Sequence, residues 1–221
     1  MATWISWLAG VALVASDVVI PARIPFTTPL ERYGFELIRE EGGVRAYKHP
    51  AADMIRIAAE GRFEAPPAAV EQVLSDYAAQ LGVVSRLSEA EILDRGPQWL
   101  LVYQRLNLPV ISDRDYVLYV RWGTEGDTLW ITHTAIAGTG PAPKDGVVRV
   151  VSHVGSWQLK PVDGGSATFA RFEAELDLGG LLPMWMARAR AGEELPAMFS
   201  EMARLIKATG SGSSPCTSNC R

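Results

Sequence analysis

The chain has 221 residues, 48% of them hydrophobic, and a formal net charge of −4 from 21 Lys plus Arg against 25 Asp plus Glu. That length fits one domain with short extensions and a sizeable core. The mild acidity argues against a protein that grips phosphates through a basic surface, so nucleic acid is not an expected partner. No dense Lys/Arg run marks an anionic membrane patch.

Trp4 to Ala15 is almost wholly apolar. It is shorter than the roughly 20 residues that span a bilayer. Its length suits the apolar region of a signal peptide, and Val14-Ala15-Ser16 offers small residues for cleavage, although Met1 to Trp7 carries no Lys or Arg. A non-cleaved membrane-surface anchor is the other reading. Export, or anchoring on the outer side of a membrane, is favoured over a cytoplasmic location. Pro21 and Pro25 make Val18 to Pro29 an extended linker.

Strands are expected at Gly43 to His49 and Met54 to Phe63, joined by the turn Pro50-Ala51-Ala52-Asp53. Pro66-Pro67 opens a helix whose Val70, Val73, Leu74 and Tyr77 share one face. Period-two patterning then returns at Ala90 to Asp94, Trp99 to Leu106, Arg114 to Trp122 and Thr128 to Ile136. A Gly/Pro loop from Ala137 to Gly146 precedes a strand at Val147 to Leu159. Asp163-Gly164-Gly165-Ser166 reads as a hairpin turn into Thr168 to Asp177. Leu181 to Lys207 is expected to be mostly helical, with apolar Leu182, Trp185, Met186, Ala189, Leu195, Phe199, Met202 and Ile206, and kinked or broken at Pro196. The Gly/Ser-rich tail Ala208 to Arg221 has no apolar period and reads as disordered. Its Cys216 and Cys220, a weak metal signal, read as tail cysteines with no role in the fold; the alternative is a small disulfide loop, which needs an oxidising compartment. The whole is an α+β architecture: a mostly antiparallel sheet, a helix between strands and a long terminal helix.

Four pieces of the chain, in order, resemble the START family of lipid-transfer domains in its bacterial form. They are Gly43-Val44-Arg45-Ala46-Tyr47; Val102-Tyr103 followed by Pro109 and Ser112-Asp113-Arg114-Asp115-Tyr116-Val117; Val148-Arg149-Val150 leading to Trp157 and Leu159; and Asp177-Leu178-Gly179-Gly180-Leu181-Leu182-Pro183-Met184-Trp185. The resemblance runs from about Phe35 to Ile206. It implies a helix-grip fold, in which a curved antiparallel sheet grips a long C-terminal helix over a hydrophobic tunnel. It also divides the chain into an N-terminal segment over residues 1–34, a lipid-binding domain over 35–207 and a tail over 208–221. Val120 stands where sterol-binding relatives often carry a buried arginine, and Arg121 is one residue out of register. The resemblance therefore implies no ion pair inside the tunnel.

Alternation puts Tyr116, Leu118 and Val120 on one face of their strand, and Phe172 and Ala174 on the matching face of theirs. Met186, Phe199 and Met202 would close the site from the terminal helix. Read from the residues alone, these side chains could simply pack on one another. The resemblance implies that they line a ligand. Tyr103 could add a hydroxyl for a polar head group. Ser152, grouped by alternation with Val150 and Val154, is a candidate polar residue of the cavity, whereas His153 should lie outside or near the rim. Arg114 and Asp115 read as structural, at a strand entrance where Asp113 and Arg114 can satisfy loop backbone groups. His49, His133 and His153 have no second His or Cys at ligand spacing, so neither a metal nor a cofactor is expected. No nucleophile elbow, P-loop or dinucleotide fingerprint appears.

The leading expectation is a non-catalytic protein that binds a sterol, fatty acid or phospholipid in an internal tunnel and carries or presents it. It would act as a monomer, touching membranes transiently through its C-terminal helix and the lid loops Asn107 to Asp113 and Ala137 to Gly146. One alternative is a helix-grip enzyme acting on a polyketide- or sterol-like substrate, which would need a buried carboxylate or His in the tunnel. The other is an interaction module with a filled core.

Overall fold

The computed structural model describes residues 22–50, 54–81, 84–108, 111–180 and 192–211. Strands β1 (Glu36–Glu41), β2 (Val44–Lys48) and β3 (Ile55–Phe63) lead into helix α1 (Pro67–Ser75). Then come β4 (Leu87–Gly96), β5 (Trp99–Leu106), β6 (Asp113–Glu125), β7 (Thr128–Ala135), β8 (Val147–Arg149), β9 (Ser152–Val162) and β10 (Ala167–Asp177). Helix α2 (Leu195–Ser211) follows. The strands form one sheet in the order β1-β2-β3-β10-β9-β7-β6-β5-β4, with β8 added parallel to β6. Register shifts within the β4–β5 pair mark bulges, which bend a sheet. The expected α+β helix-grip architecture is observed.

β1 was not expected as a strand. Glu36, Arg39, Glu40 and Glu41 leave it Leu37 and Ile38 as its apolar residues, and it is held by backbone pairing to β2 at the sheet edge and by Ile38, which packs against the main core. The expected strand from Val147 to Leu159 is broken in two. The chain kinks at Val150 and Val151, between a strand running parallel to β6 and one running antiparallel to β7 and β10. Val150 is 2% exposed and donates its N–H to the Asp115 carbonyl at 2.8 Å, whereas Val151 is 59% exposed.

Both helices pack on the same face of the sheet, here called concave. α1 meets β7, β9 and β10, while α2 meets β2, β3 and α1. α1 buries Val70, Val73 and Leu74, as the sequence spacing predicts. α2 buries Leu195, Phe199, Met202 and Ile206, one helical face at spacings of three and four. Phe199 stacks on Phe63 with ring centroids 5.3 Å apart and lies 5.2 Å from the Trp157 ring. A Cβ at Gly61 would sit 2.8 Å from the Phe199 ring, so glycine is what lets α2 lie this close to β3. Of the kink or break expected at Pro196, the structure has a break: residues 192–194 are turn, and Pro196 is the second residue of α2, where the first turn has no use for its missing N–H. Leu182, Trp185, Met186 and Ala189 of the expected helix lie outside the described residues, as do the N-terminal apolar run and both cysteines.

On the convex face, Ile24, Leu30 and Phe35 pack with Tyr47 and Ala58. Arg171 fastens this segment. Its guanidinium donates to the carbonyls of Ile24, Pro25 and Thr28 at 3.3, 3.0 and 3.2 Å while pairing with Glu60 at 2.6 Å.

Candidate ligand-binding site on the concave face

Cross-strand register decides what faces inward. Tyr116, Leu118 and Val120 of β6 stand opposite Gln104, Val102 and Leu100 of β5. Val120 also faces His133 of β7, His133 faces Gly155 of β9, and Gly155 faces Ala174 of β10. One further step along the same face brings Trp157 opposite Phe172, and His153 opposite Leu176. Tyr116, Leu118, Val120, Phe172, Ala174, Phe199 and Met202 thus join one buried cluster with Trp157, Tyr77 and Leu195. Met186 lies outside the described residues.

Tyr103 and Ser152 do not share this wall. Tyr103 pairs with Val117, on the convex side, and donates its hydroxyl to Asp115 at 3.1 Å. Ser152 pairs with Asp177, on the face that also carries Glu175 and Glu173, and its Oγ lies 4.0 Å from the Met54 sulfur. The kink at Val150 and Val151 is the cause: it shifts the alternation by one residue, turning Ser152 out and His153 in. His153 is expected outside or near the rim; it is partly exposed at the start of β9, and the kink turns its ring to the concave face.

The inward His153 meets His133, their Nε2 atoms 3.2 Å apart. Its ring stands edge-on to Tyr116, with centroids 5.2 Å apart. Gly155 makes this meeting possible. A Cβ there would lie 2.5 Å from the His133 Cε1 and Nε2, so only glycine leaves room for that ring to cross β9. Burial pushes the His153 imidazole down to about 4 and holds His133 well below the usual range, with the neighbouring His153 adding to the shift on His133. Both rings are therefore neutral near pH 7. Burial also raises the Tyr77 and Tyr116 phenols, and at Tyr77 the nearby Tyr116 adds to it. Sequence reasoning missed the pair because its members are 20 residues apart. The signal that could have pointed to it is a glycine in the middle of a strand, which marks close approach of another group.

Arg114 also lies on the concave side, paired across from Leu106 and at the same parity as Tyr116. Its Nε donates to Leu178 O at 3.1 Å, Nη2 to Gly179 O at 3.2 Å, and Nη1 to Ser112 O. The Leu178 and Gly179 carbonyls belong to the turn after β10, where Gly179 and Gly180 adopt φ of 63° and 71°, a left-handed conformation suited to glycine, and Ser112 O lies just before β6. Arg114 thus has the backbone-satisfying role expected of it. Asp115 points the other way. It takes Arg149 at 2.7 Å, and Arg149 in turn donates to Pro141 O at 3.0 Å. Lys144 pairs with Glu89 at 2.6 Å. The loop expected to act as a lid, Ala137 to Gly146, is therefore fastened to the convex side. Among the described residues no group of three or more His, Cys, Asp or Glu could hold a metal.

A cavity of about 190 Å³ lies on the convex side, lined by residues including Ala22, Phe35, Arg56, Glu173 and Glu175. Burial pushes the Glu173 carboxyl up to about 7. It accepts the Ile24 N–H at 3.3 Å and a Gln158 amide proton at 3.4 Å.

A curved sheet with both helices on one face, closed by an apolar C-terminal helix, has close counterparts among solved structures. The STAR-related lipid transfer protein from Xanthomonas axonopodis superposes with a TM-score of 0.72 at 21% identity, covering 79% of this chain and 99% of that one. Human STARD10 does so with a TM-score of 0.70 at 17% identity, covering 79% of this chain and 73% of that one. The fold is that of a START domain. Human StAR-related lipid transfer protein 5 agrees, with a TM-score of 0.67 at 18% identity over 82% of this chain and 92% of that one. No protein-family model and no curated protein sequence matches the chain. At these identities the START likeness speaks to the fold, and the assignment of a ligand rests on the concave wall itself.

Proposed function

We propose that the protein binds a hydrophobic lipid against the concave face and carries or presents it without transforming it. The observation that carries this reading is the concave wall. Its strands present Tyr116, Leu118, Val120, Phe172 and Ala174 in a START fold, and α2, packed on β2, β3 and α1, adds Phe199 and Met202 to the same apolar cluster. Each lipid CH₂ buried there would contribute about 0.8 kcal/mol. Lipid entry requires α2 to move relative to β2 and β3, since the 137–146 loop is pinned by Arg149 and Lys144. Native mass spectrometry of the protein purified from its host should find a bound lipid. If none co-purifies, and sterols, fatty acids and phospholipids all fail to bind the purified protein, the reading is wrong.

The His133–His153 pair is the observation that favours a second reading, an enzyme on the same fold. Its chemistry supports binding better. A general base works best with a pKa near the operating pH, and His153 at about 4 is a weak one. Neither ring has a carboxylate partner among the described residues. A bound lipid recovered with unchanged mass after prolonged incubation supports the non-catalytic reading, and a new product mass supports the enzyme.

A further inference from the structure

We propose that the His133–His153 pair is the polar anchor of the concave site and selects a neutral lipid bearing a hydroxyl group. This rests on the lipid-binding reading above and names the ligand class for the same site. The His153 Nδ1 is buried and has no hydrogen-bond partner among the described residues. Its other ring nitrogen is committed to His133 at 3.2 Å. Between two neutral imidazoles one Nε2 must carry the proton and the other accept it, so the rings hold opposite tautomers. If His153 donates through Nε2, its Nδ1 is a bare acceptor. If it accepts there, its Nδ1 carries an unused N–H. A hydroxyl is both donor and acceptor and satisfies either case.

The same surroundings disfavour an anionic head group. A phosphate or carboxylate needs a cation, and both imidazoles stay neutral because they are desolvated. Each nitrogen of Arg114 already donates to a carbonyl, Arg86 is paired with Glu194, and Arg95 and Lys48, which share this face by register, stand on β4 and β2, away from the histidines of β7 and β9. Arg149 and Arg171 point to the convex side and are paired with Asp115 and Glu60. The anchor is also built. Gly155 leaves the space that the His133 ring fills, and Tyr116 supports the His153 ring edge-on.

The test uses delipidated full-length protein equilibrated with phosphatidylcholine vesicles. The vesicles carry equal amounts of hexadecan-1-ol, hexadecane and hexadecanoate, or of cholesterol and cholestane. The protein is re-isolated by gel filtration, and bound lipid is quantified by gas chromatography and mass spectrometry. In the wild type the alcohol of at least one set should exceed its hydrocarbon by about tenfold or more, the worth of one buried hydrogen bond. His153→Phe should bind alcohol and hydrocarbon equally, while His153→Gln should keep part of the preference. The ¹⁵N signal of His153 Nδ1 should move when the preferred alcohol is added to the wild type. Equal occupancy by alcohol and hydrocarbon, a preference for hexadecanoate or phosphatidylcholine, or a preference that survives His153→Phe overturns the anchor and leaves lipid binding standing. Recovery of no lipid of any kind overturns both.

Discussion

The two faces of the sheet use polar residues in opposite ways. On the convex face, buried charges are paired. Glu60 lies between Arg171 and Arg45, both at 2.6 Å, and Asp115 takes Arg149 at 2.7 Å and the Tyr103 hydroxyl at 3.1 Å. These networks fasten added segments, the N-terminal stretch through Arg171 and the 137–146 loop through Arg149. On the concave face the histidines pair with each other and His153 Nδ1 has no partner among the described residues; the convex side has one such nitrogen too, His49 Nδ1 beside Phe35, but it lies outside the apolar wall. A polar group with its bonds filled is structural. One left with a bond to spare, in an apolar wall, is where a ligand can be recognised.

The largest expected effect breaks the convex side. Arg171→Met leaves Glu60 buried with the half-exposed Arg45 and the Tyr47 hydroxyl, and removes the guanidinium donors to Pro25 and Thr28, while the Ile24 carbonyl keeps Gln158. Removing one partner of a buried pair costs about 3–5 kcal/mol, which denaturant unfolding should register, while residues 24–28 lose amide-exchange protection. On the concave side, Gly61→Val drives a side chain into Phe199 and Val44. Overpacking of this kind costs about 1–3 kcal/mol, and the Trp157 fluorescence should change as Phe199 shifts.

Titration separates the faces further, with opposite signs. Glu173 has its pKa raised from 4.5 to about 7, so the folded state holds that proton more tightly than the unfolded one. Its contribution is full below pH 4.5 and is lost as pH rises through about 7. Glu173→Gln should remove that decline when unfolding is followed from pH 4 to 8. His153 has its pKa lowered from 6.5 to about 4, so its contribution is full above pH 6.5 and is lost as pH falls towards 4. His153→Phe should flatten the acid limb instead. The smallest effect is Tyr103→Phe. It removes one hydroxyl from Asp115, which keeps Arg149, and should cost about 1 kcal/mol. Lipid occupancy should not change, because Tyr103 stands on the convex face. A drop in occupancy with Tyr103→Phe would break the division between the faces.

Much of the fold was legible in the chain. Apolar alternation located β5 and β6, spacings of three and four gave α1 and the buried face of α2, and Gly179-Gly180 marked the turn out of the last strand. β1 was not legible, because four of its six residues are charged and its apolar Leu37 and Ile38 are adjacent, with no period-two pattern. For the concave wall, alternation alone placed Tyr116, Leu118, Val120, Phe172 and Ala174 on common faces. It failed at Tyr103, because period two says which residues share a face of one strand but not which face of the sheet that becomes. It failed at Ser152 and His153, because nothing local announces the kink at Val150 and Val151 that turns the alternation over.

The sequence by itself therefore determined the periodicities, the turns and the supply of apolar side chains, since these depend on contacts within a few residues. Tertiary structure decided which face closes around the helices and where each buried charge finds its partner. It also decided that His133 and His153, on separate strands, meet over Gly155. That meeting is set by the register between β7 and β9, a long-range choice governed by packing and backbone pairing across the sheet, of which no single strand holds a record.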